Sequence, residues 1–492
     1  MADDQGGNPA SLPHHDPSKS FWHTEPSALL LGHRTTRELP AEVDIAVIGA
    51  GISGTSIVHH LLEPYRQHDQ SGANSDAPSV LLLDAREVCW GATGRNGGHC
   101  QPLLFTHPND PSIGHFELSG HRNLARLAGE QLQDDPRPPP RKTFPCEFVT
   151  QPGVQALYTN DTTSRLQKDL ETLAKNDASL ASRCTYVTDK DQLTRLGVPD
   201  AAAAVVTDVA ARVWPYKFVT GVIEDLVLDE GLQGRFNLQT WTPVTSLHRS
   251  DSGSWTVKTD RGSVTAKTVI LSTNGYTSAL VPDFKDLIVP CRGQMSSILP
   301  PPELAGDNRL KTSFGFSKEG MHDYLIQRPS EKGGHLMFGG AEKYGARVGV
   351  TDDSFVDERQ TKWLREALPM YFSLKNKEPL DMVKTWSGIM GFSRDELPFV
   401  GPVPGKEGLF MCAGFTGHGM PNTWLCGKTV AGIVGRLRQG REMGEAIEEA
   451  AGETELPDAY RLTEQRIERA RKRVSVYEQD NKWFAPHGGR ED

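Results

Sequence analysis

The stretch 43–65, "VDIAVIGAGISGTSIVHHLLEPY", decides the fold. Its opening run from Val43 to Ile48 is largely apolar and β-branched and stops at glycines, the pattern of a strand buried on both faces. Beyond the glycines, Ile52, Ile57, Val58, Leu61 and Leu62 recur at helical spacing. The connection is G-x-G-x-x-G. Gly49 permits the tight turn out of the strand, Gly51 lets a pyrophosphate reach the backbone, and Gly54 lets helix and strand pack closely. Ile52 and Ser53 open the helix, where unpaired N–H groups and the dipole favour an anion.

Working outward, "VLLLDA" at 80–85 is a second buried strand and completes a βαβ unit. Asp84, followed by Ala85, ends it, where a carboxylate accepts from ribose hydroxyls. It lies further along than the usual ~20 residues because a polar insertion, 67–79, intervenes. This context makes the glycine motif a dinucleotide site.

The same fingerprint serves FAD and NAD, so distant segments must decide between them. A tightly held flavin gathers contacts from several parts of a chain. Three such segments are present: "CWGATGRNGGHCQP" (89–102), "WSGIMGFSRDELPFVGP" (386–402) and "GFTGHGM" (414–420). The last opens a helix, and a helix N-terminus aimed at the flavin pyrimidine would stabilise the anionic reduced ring. FAD is therefore the expected cofactor.

The rest of the chain supplies a second style of structure. Residues 1–40 are polar and aperiodic and read as a tail or an arm lying over the domain. "IVPCRGQMSSIL", "HDYLIQRP" and "GHLMFGGA" read as strands of an antiparallel sheet, after which "GLFMCAG" returns to the buried, parallel style. The expectation is an α/β fold, with a Rossmann-like FAD-binding domain interleaved with an α+β substrate domain on a mostly antiparallel sheet. FAD-binding parts are expected over 41–108, 205–288 and 385–440, helical and substrate-domain parts over 109–204 and 289–384, and a C-terminal helical segment and tail over 441–492.

Composition excludes other classes. A net charge of −10 opposes general nucleic-acid binding, and the one basic cluster, "RIERARKRV", interleaves acids as a solvated helix face does. No apolar run is long enough to cross a bilayer and no leader pattern opens the chain. Seven cysteines without a C-x-x-C pair read as reduced thiols, so the expected location is cytoplasmic. Neither G-x-S-x-G nor H-E-x-x-H occurs, and no metal is expected.

Together, GAGISG, GATGRNGG, D-E-L-P-x-x-G and GFTGHGM resemble FAD-dependent amine and amino-acid oxidoreductases of the D-amino-acid oxidase superfamily, over about 43–465. The branch is that of glycine oxidase, sarcosine oxidase and, for "GATGRNGGH", gamma-glutamylputrescine oxidase. The resemblance implies oxidation of a C–N bond by hydride transfer from an uncharged amine or secondary amino acid to flavin. Water would hydrolyse the imine and oxygen would reoxidise the cofactor. It implies cofactor contacts from Gly91, Thr93, Gly94, Arg95, Asn96, Gly97 and Gly98, with Val244 at the adenine and Asn274 and Gly275 near the diphosphate. Gly388, Gly414, Gly417, His418, Gly419 and Met420 join them. Gly388 stands about where some relatives carry a flavin-linking cysteine, which favours noncovalent FAD, although a link through His99 stays open. An oxygen-activating lysine of sarcosine oxidases aligns near Met337, with Lys343 a few residues on.

Catalytic or substrate-contacting candidates are His418, His99, Tyr324, Gln294 and Trp386. His418 either faces flavin and substrate or packs and caps the helix start. His99 either bonds near the ring or packs beside it. Arg292 has three readings: a substrate carboxylate, the flavin, or a domain interface. Two narrower alternatives share this frame: a tailoring oxidase of a complex amine-bearing intermediate, and a flavin-binding subunit without turnover.

Overall fold

The computed structural model describes residues 7–66, 76–132, 135, 137–318, 321–345 and 347–478. Most of the polar insertion and the end of the C-terminal tail lie outside them.

Strand Glu42–Ile48 is buried on both faces because successive side chains enter different cores. Ile45 and Val47 join one apolar cluster, and Val43, Ala46 and Ile48 join another. It sits inside a sheet of eight strands. In order these are Phe399–Pro402, Leu409–Ala413, Gly262–Leu271, Glu42–Ile48, Val80–Leu83 and Phe236–Gln239, with the hairpin Val244–Arg249 and Trp255–Thr259 paired to Gly262–Leu271. The pairings among the middle strands are parallel, as a βαβ unit requires. Helix Ile52–Leu62 crosses helix Thr423–Arg438 closely at a small-residue contact. A Cβ on Gly427 would come within 2.7 Å of the Ser56 side chain, whose hydroxyl donates to Trp424 O at 2.6 Å.

The second sheet has nine strands, with Met382–Ser393 at one edge and the short strand His99–Cys100 at the other. All its pairings are antiparallel except Val149–Leu157 with Ser313–Lys318. The fold is thus the expected α/β Rossmann-like sheet with a mostly antiparallel partner. Two expected boundaries fall inside strands of the second sheet: 204/205 within Ala203–Arg212, and 384/385 within Met382–Ser393. Ala203–Arg212 is buried along nearly its whole length, so its sequence reads like a parallel strand. His99–Cys100 also belongs to this sheet although it lies in the first expected FAD-binding part. The sheets are pinned where a Cβ on Gly391 would lie 2.6 Å from Asn274 Oδ1.

The N-terminal arm is built into the fold. Trp22 is buried, and its Nε1 donates to Asn96 O at 2.6 Å, while Trp214 Nε1 donates to Trp22 O at 2.8 Å. Ser20 Oγ donates to Gly94 O, and Thr35 N to Leu238 O beside the edge of the parallel sheet. No helix among the described residues is long and apolar enough to cross a membrane.

Candidate FAD and substrate cavity

A cavity of about 440 Å³ lies where the two sheets meet. One end is walled by the first glycine turn, with Gly49, Gly51, Ile52 and Ser53, and by Asp84, Ala85 and Val244. The other end reaches Tyr324 and His322 of the antiparallel sheet. Two helix N-termini open on it. Gly51 and Asn422 cap their helices without a side-chain hydrogen bond, and Ile52, Ser53 and Thr423 of the first turns line the wall. Gly49 has φ +106°, a conformation glycine adopts cheaply, and a Cβ there would meet Ser272 O at 2.6 Å. A Cβ on Gly54 would meet Gly49 O at 1.9 Å, so glycine there allows the helix to close on the turn. At Gly91 a Cβ would protrude into open space on the cavity wall. The glycine-lined cradle, the helix dipoles and the elongated wall all fit a dinucleotide.

Asp84 is on this wall, with its oxygens already accepting N–H from Ala50 at 2.7 Å and Arg86 at 2.8 Å. It braces the turn as well as lining the cavity. Burial pushes its carboxyl upward against these two donors. Arg95 lines the cavity too, but its guanidinium is engaged by protein. Nε donates to Trp90 O at 2.8 Å and Nη1 to Ser387 O at 2.8 Å, while Nε stands 3.5 Å from Asp353. Arg86 meets the same Asp353 at 3.0 Å. The expected cofactor arginine is therefore held by a buried two-arginine, one-carboxylate cluster. Burial and the neighbouring Arg86 lower Arg95 to about 10 in spite of Asp353.

The substrate end carries Tyr324, His99, His322 and His418 on the wall, with Glu117 and Glu342. No hydrogen bond from another described residue reaches the Tyr324 hydroxyl, and burial raises its acidity threshold well above the usual phenol range. Gly97 lets the Tyr324 ring approach, since a Cβ there would sit 2.6 Å from it. Burial, with neighbouring histidines adding to it, lowers His99 to about 3 and His322 to about 4, so both rings are neutral near pH 7. His418 Nε2 stands 3.0 Å from Glu117 Oε1, an ion-pair separation whose angle is outside hydrogen-bond geometry. Burial works against the Glu117 carboxylate, but His418, Leu103 N–H and the Asn422 amide hold its pKa below normal.

Several expected contacts lie elsewhere. Trp386 is fully buried off the cavity wall, where Nε1 donates to Arg95 O at 2.8 Å and supports the glycine loop from behind. Gln294 reaches the wall, but its amide nitrogen donates to Thr361, Thr385 and Asp357 O and its oxygen accepts Asp357 N–H, so it braces a neighbouring segment. Gly54, Gly94, Gly98, Gly275 and Gly414 stand behind the wall as turn and packing residues. Gly51, Gly91, Thr93, Asn96, Gly97, Asn274, Gly388, Gly417, Gly419 and Met420 line it. The Arg292 guanidinium lies 3.8 Å over the Phe355 ring and Met337 is buried in the core; neither they nor Lys343 line the cavity.

Sequence reasoning missed His322, Glu117 and Glu342. His322 had a signal: it precedes Tyr324 by two positions on one strand and so shares its face. Glu117 had another, because it interrupts the apolar face Ile113, Phe116, Leu118 and Leu124 of helix Pro111–Leu127. Glu342 follows a strand in a left-handed turn at Ala341 and carried no sequence signal.

Comparison with known proteins agrees with this geometry. The gamma-glutamylputrescine oxidoreductase of Escherichia coli (strain K12) is 23% identical over 398 residues, covering 80% of this chain and 83% of that protein. Among solved structures, glycine oxidase from Geobacillus kaustophilus superposes with a TM-score of 0.61 at 17% identity, covering 81% of this chain and 95% of that one. L-Proline dehydrogenase from P. horikoshii gives 0.60 at 18%, covering 84% and 99%. The family model described as DAO, FAD dependent oxidoreductase, matches residues 44–433. With its glycine-lined cradle and that match over most of its length, the chain belongs to the DAO family of FAD-dependent oxidoreductases.

Proposed function

We propose that the protein oxidises the C–N bond of a small amine or secondary amino acid to an imine. The observation that carries this reading is one continuous cavity joining the dinucleotide cradle to a wall of Tyr324, His322, His99 and His418. Bound FAD would supply the hydride acceptor, and oxygen its reoxidation. The protein's own part is to orient and to manage protons. His99 and His322 stay neutral and so do not repel an amine. The His418 ring, beside the Glu117 carboxylate, is the group placed to take the proton from an arriving ammonium. Tyr324, with its hydroxyl uncommitted among the described residues, is placed to hydrogen-bond the substrate. His418, His99 and Tyr324 thus keep their proposed site roles, whereas Trp386 and Gln294 act as supports.

The test is anaerobic. Holoenzyme mixed with a panel of primary amines, secondary amines and amino acids should lose its flavin absorption with at least one class, and should release peroxide when air is admitted. A yellow protein that no amine or amino acid bleaches would overturn the proposal.

A further inference from the structure

We infer that the substrate carries, besides the reacting amine, an uncharged hydrogen-bond donor, a hydroxyl or an amide N–H, and that Gln155, beyond Tyr324 on the cavity wall, accepts from it. This rests on the amine-oxidising reading above and narrows its substrate class. The first argument is the floor of the cavity. Across the second sheet, Met295, Gly339, Tyr324, Gly315 and Gln155 stand opposite one another in one row, from strand Ile288–Ile298 through Leu336–Gly340, Met321–Gln327 and Ser313–Lys318 to Val149–Leu157. Paired residues share a face, and all of the row but Gly339 line the cavity. Tyr324 and Gln155 each lie over a glycine of the adjoining strand. A Cβ on Gly339 would come within 2.8 Å of the Tyr324 hydroxyl, and one on Gly315 would collide with Gln155 Oε1. Gly339 and Gly315 are two strand spacings apart, so these two polar atoms are held about 9–10 Å from each other.

The second argument is that Gln155 has an acceptor left over. Its side chain is buried, Nε2 donates to Ser317 Oγ at 2.9 Å, and Oε1 accepts from no described residue. The oxygen is not closed in by protein either, so it opens onto the cavity that Gln155 lines. Gln294 on the same sheet shows the ordinary state, with its nitrogen and its oxygen both bonded to protein. A buried amide oxygen with nothing to accept is a standing cost that a donor on a ligand removes. The oxygen, rather than the nitrogen, belongs on this side: the Gly315 hydrogen in the Cβ position points at it, a contact that suits an acceptor and opposes an N–H. Tyr324 offers the other fixed point, since its hydroxyl too is without a partner among the described residues. Next to Gln155, over Gly153 of the same strand, sits a second carboxamide on the wall, Gln101, whose Nε2 has no hydrogen-bond partner among the described residues. A carboxamide oxygen carries no charge to offset an ammonium taken out of water, which favours an uncharged donor.

The experiment gives FAD-loaded enzyme, without oxygen, four series of amines of matched chain length: ω-hydroxyalkylamines, their O-methyl ethers, plain alkylamines and α,ω-diaminoalkanes. Kd is read from the flavin spectral change on binding, and the rate of reduction from bleaching. Among the longer chains the alcohol should bind at least about tenfold more tightly than its ether, its alkylamine or the diamine, and the preference should vanish in chains too short to span from Tyr324 to Gln155. In Gln155→Leu, where Ser317 Oγ keeps His322 Nδ1 as a neighbour at 3.4 Å, the preference should fall to about twofold or less. An ether or diamine that binds as tightly as the alcohol, or a preference that survives Gln155→Leu, would overturn the inference. The unmodified enzyme decides the first of these by itself, so the result does not depend on the variant folding. An alcohol preference in binding without any bleaching would sink the amine-oxidation reading and leave the Gln155 assignment standing; bleaching by amines without that preference would do the reverse.

Discussion

Asp353 is fully buried and pairs with Arg86 at 3.0 Å while standing 3.5 Å from Arg95, so its removal would strand two guanidinium groups away from water. Asp353→Ala is expected to cost about 3–5 kcal/mol in urea unfolding, the scale for breaking a buried ion pair from one side. Gly51→Val tests the cradle separately. Even a Cβ there would lie 3.2 Å from Thr93 Oγ1, and the added methyls would occupy cofactor space. The variant should fold but bind FAD at least about tenfold more weakly, roughly 1.4 kcal/mol, measured by absorbance after equilibrium dialysis. The two residues differ in how legible they were. Gly51 is constrained by its immediate neighbours, so the spacing revealed it. Asp353 acts on Arg86 across 267 positions of sequence, a pairing that no local pattern encodes.

At the scale of elements, helix starts and alternating strands were readable and the arm was not. The glycine turns announced two helix N-termini because breaking a helix or a strand needs particular residues nearby. The boundary expected at 204/205 cuts strand Ala203–Arg212, whose burial on both faces erases the alternation that would mark an antiparallel strand. With few apolar residues the segment could be read as a tail or as an arm, and Phe21 and Trp22, which enter the main core, carry it in. Trp22→Ala should therefore cost about 3–5 kcal/mol, as for other large buried aromatics. Since Trp22 also touches the glycine loop through Asn96 O, the loss should appear as a lower thermal midpoint together with faster FAD release. Unchanged release in a destabilised variant would show that the arm acts on the fold alone.

Across the whole molecule, buried histidines set an acid limit. His23 and His99 are lowered to about 3, and His59 and His322 to about 4, mainly by burial. Between pH 6.5 and about 4 the unfolded chain binds protons at these sites and the native chain does not. Stability should then fall as pH falls, by up to about 1.4 kcal/mol per pH unit for each ring. Glu342 acts in the opposite direction: the native state keeps its proton up to about 8, so stability declines as pH rises from 4.5 toward 8. Urea midpoints of cofactor-free protein across this range should peak between the two limits, and Glu342→Gln should flatten the alkaline side. Chemistry at the cradle end was legible because cofactor binding leaves a compact imprint of glycines. Specificity at the other end was not, because Glu117, His322 and Glu342 meet there from separate parts of the chain.

The cavity wall draws on residues from Leu12 to Tyr460, with the arm contributing Leu12 and Pro13 beside strands and helices that come much later. During synthesis, then, the wall is complete only once the chain has been made past the helix Thr423–Arg438. Overproduction that outruns the riboflavin supply should therefore accumulate full-length, colourless protein able to turn yellow when FAD is added.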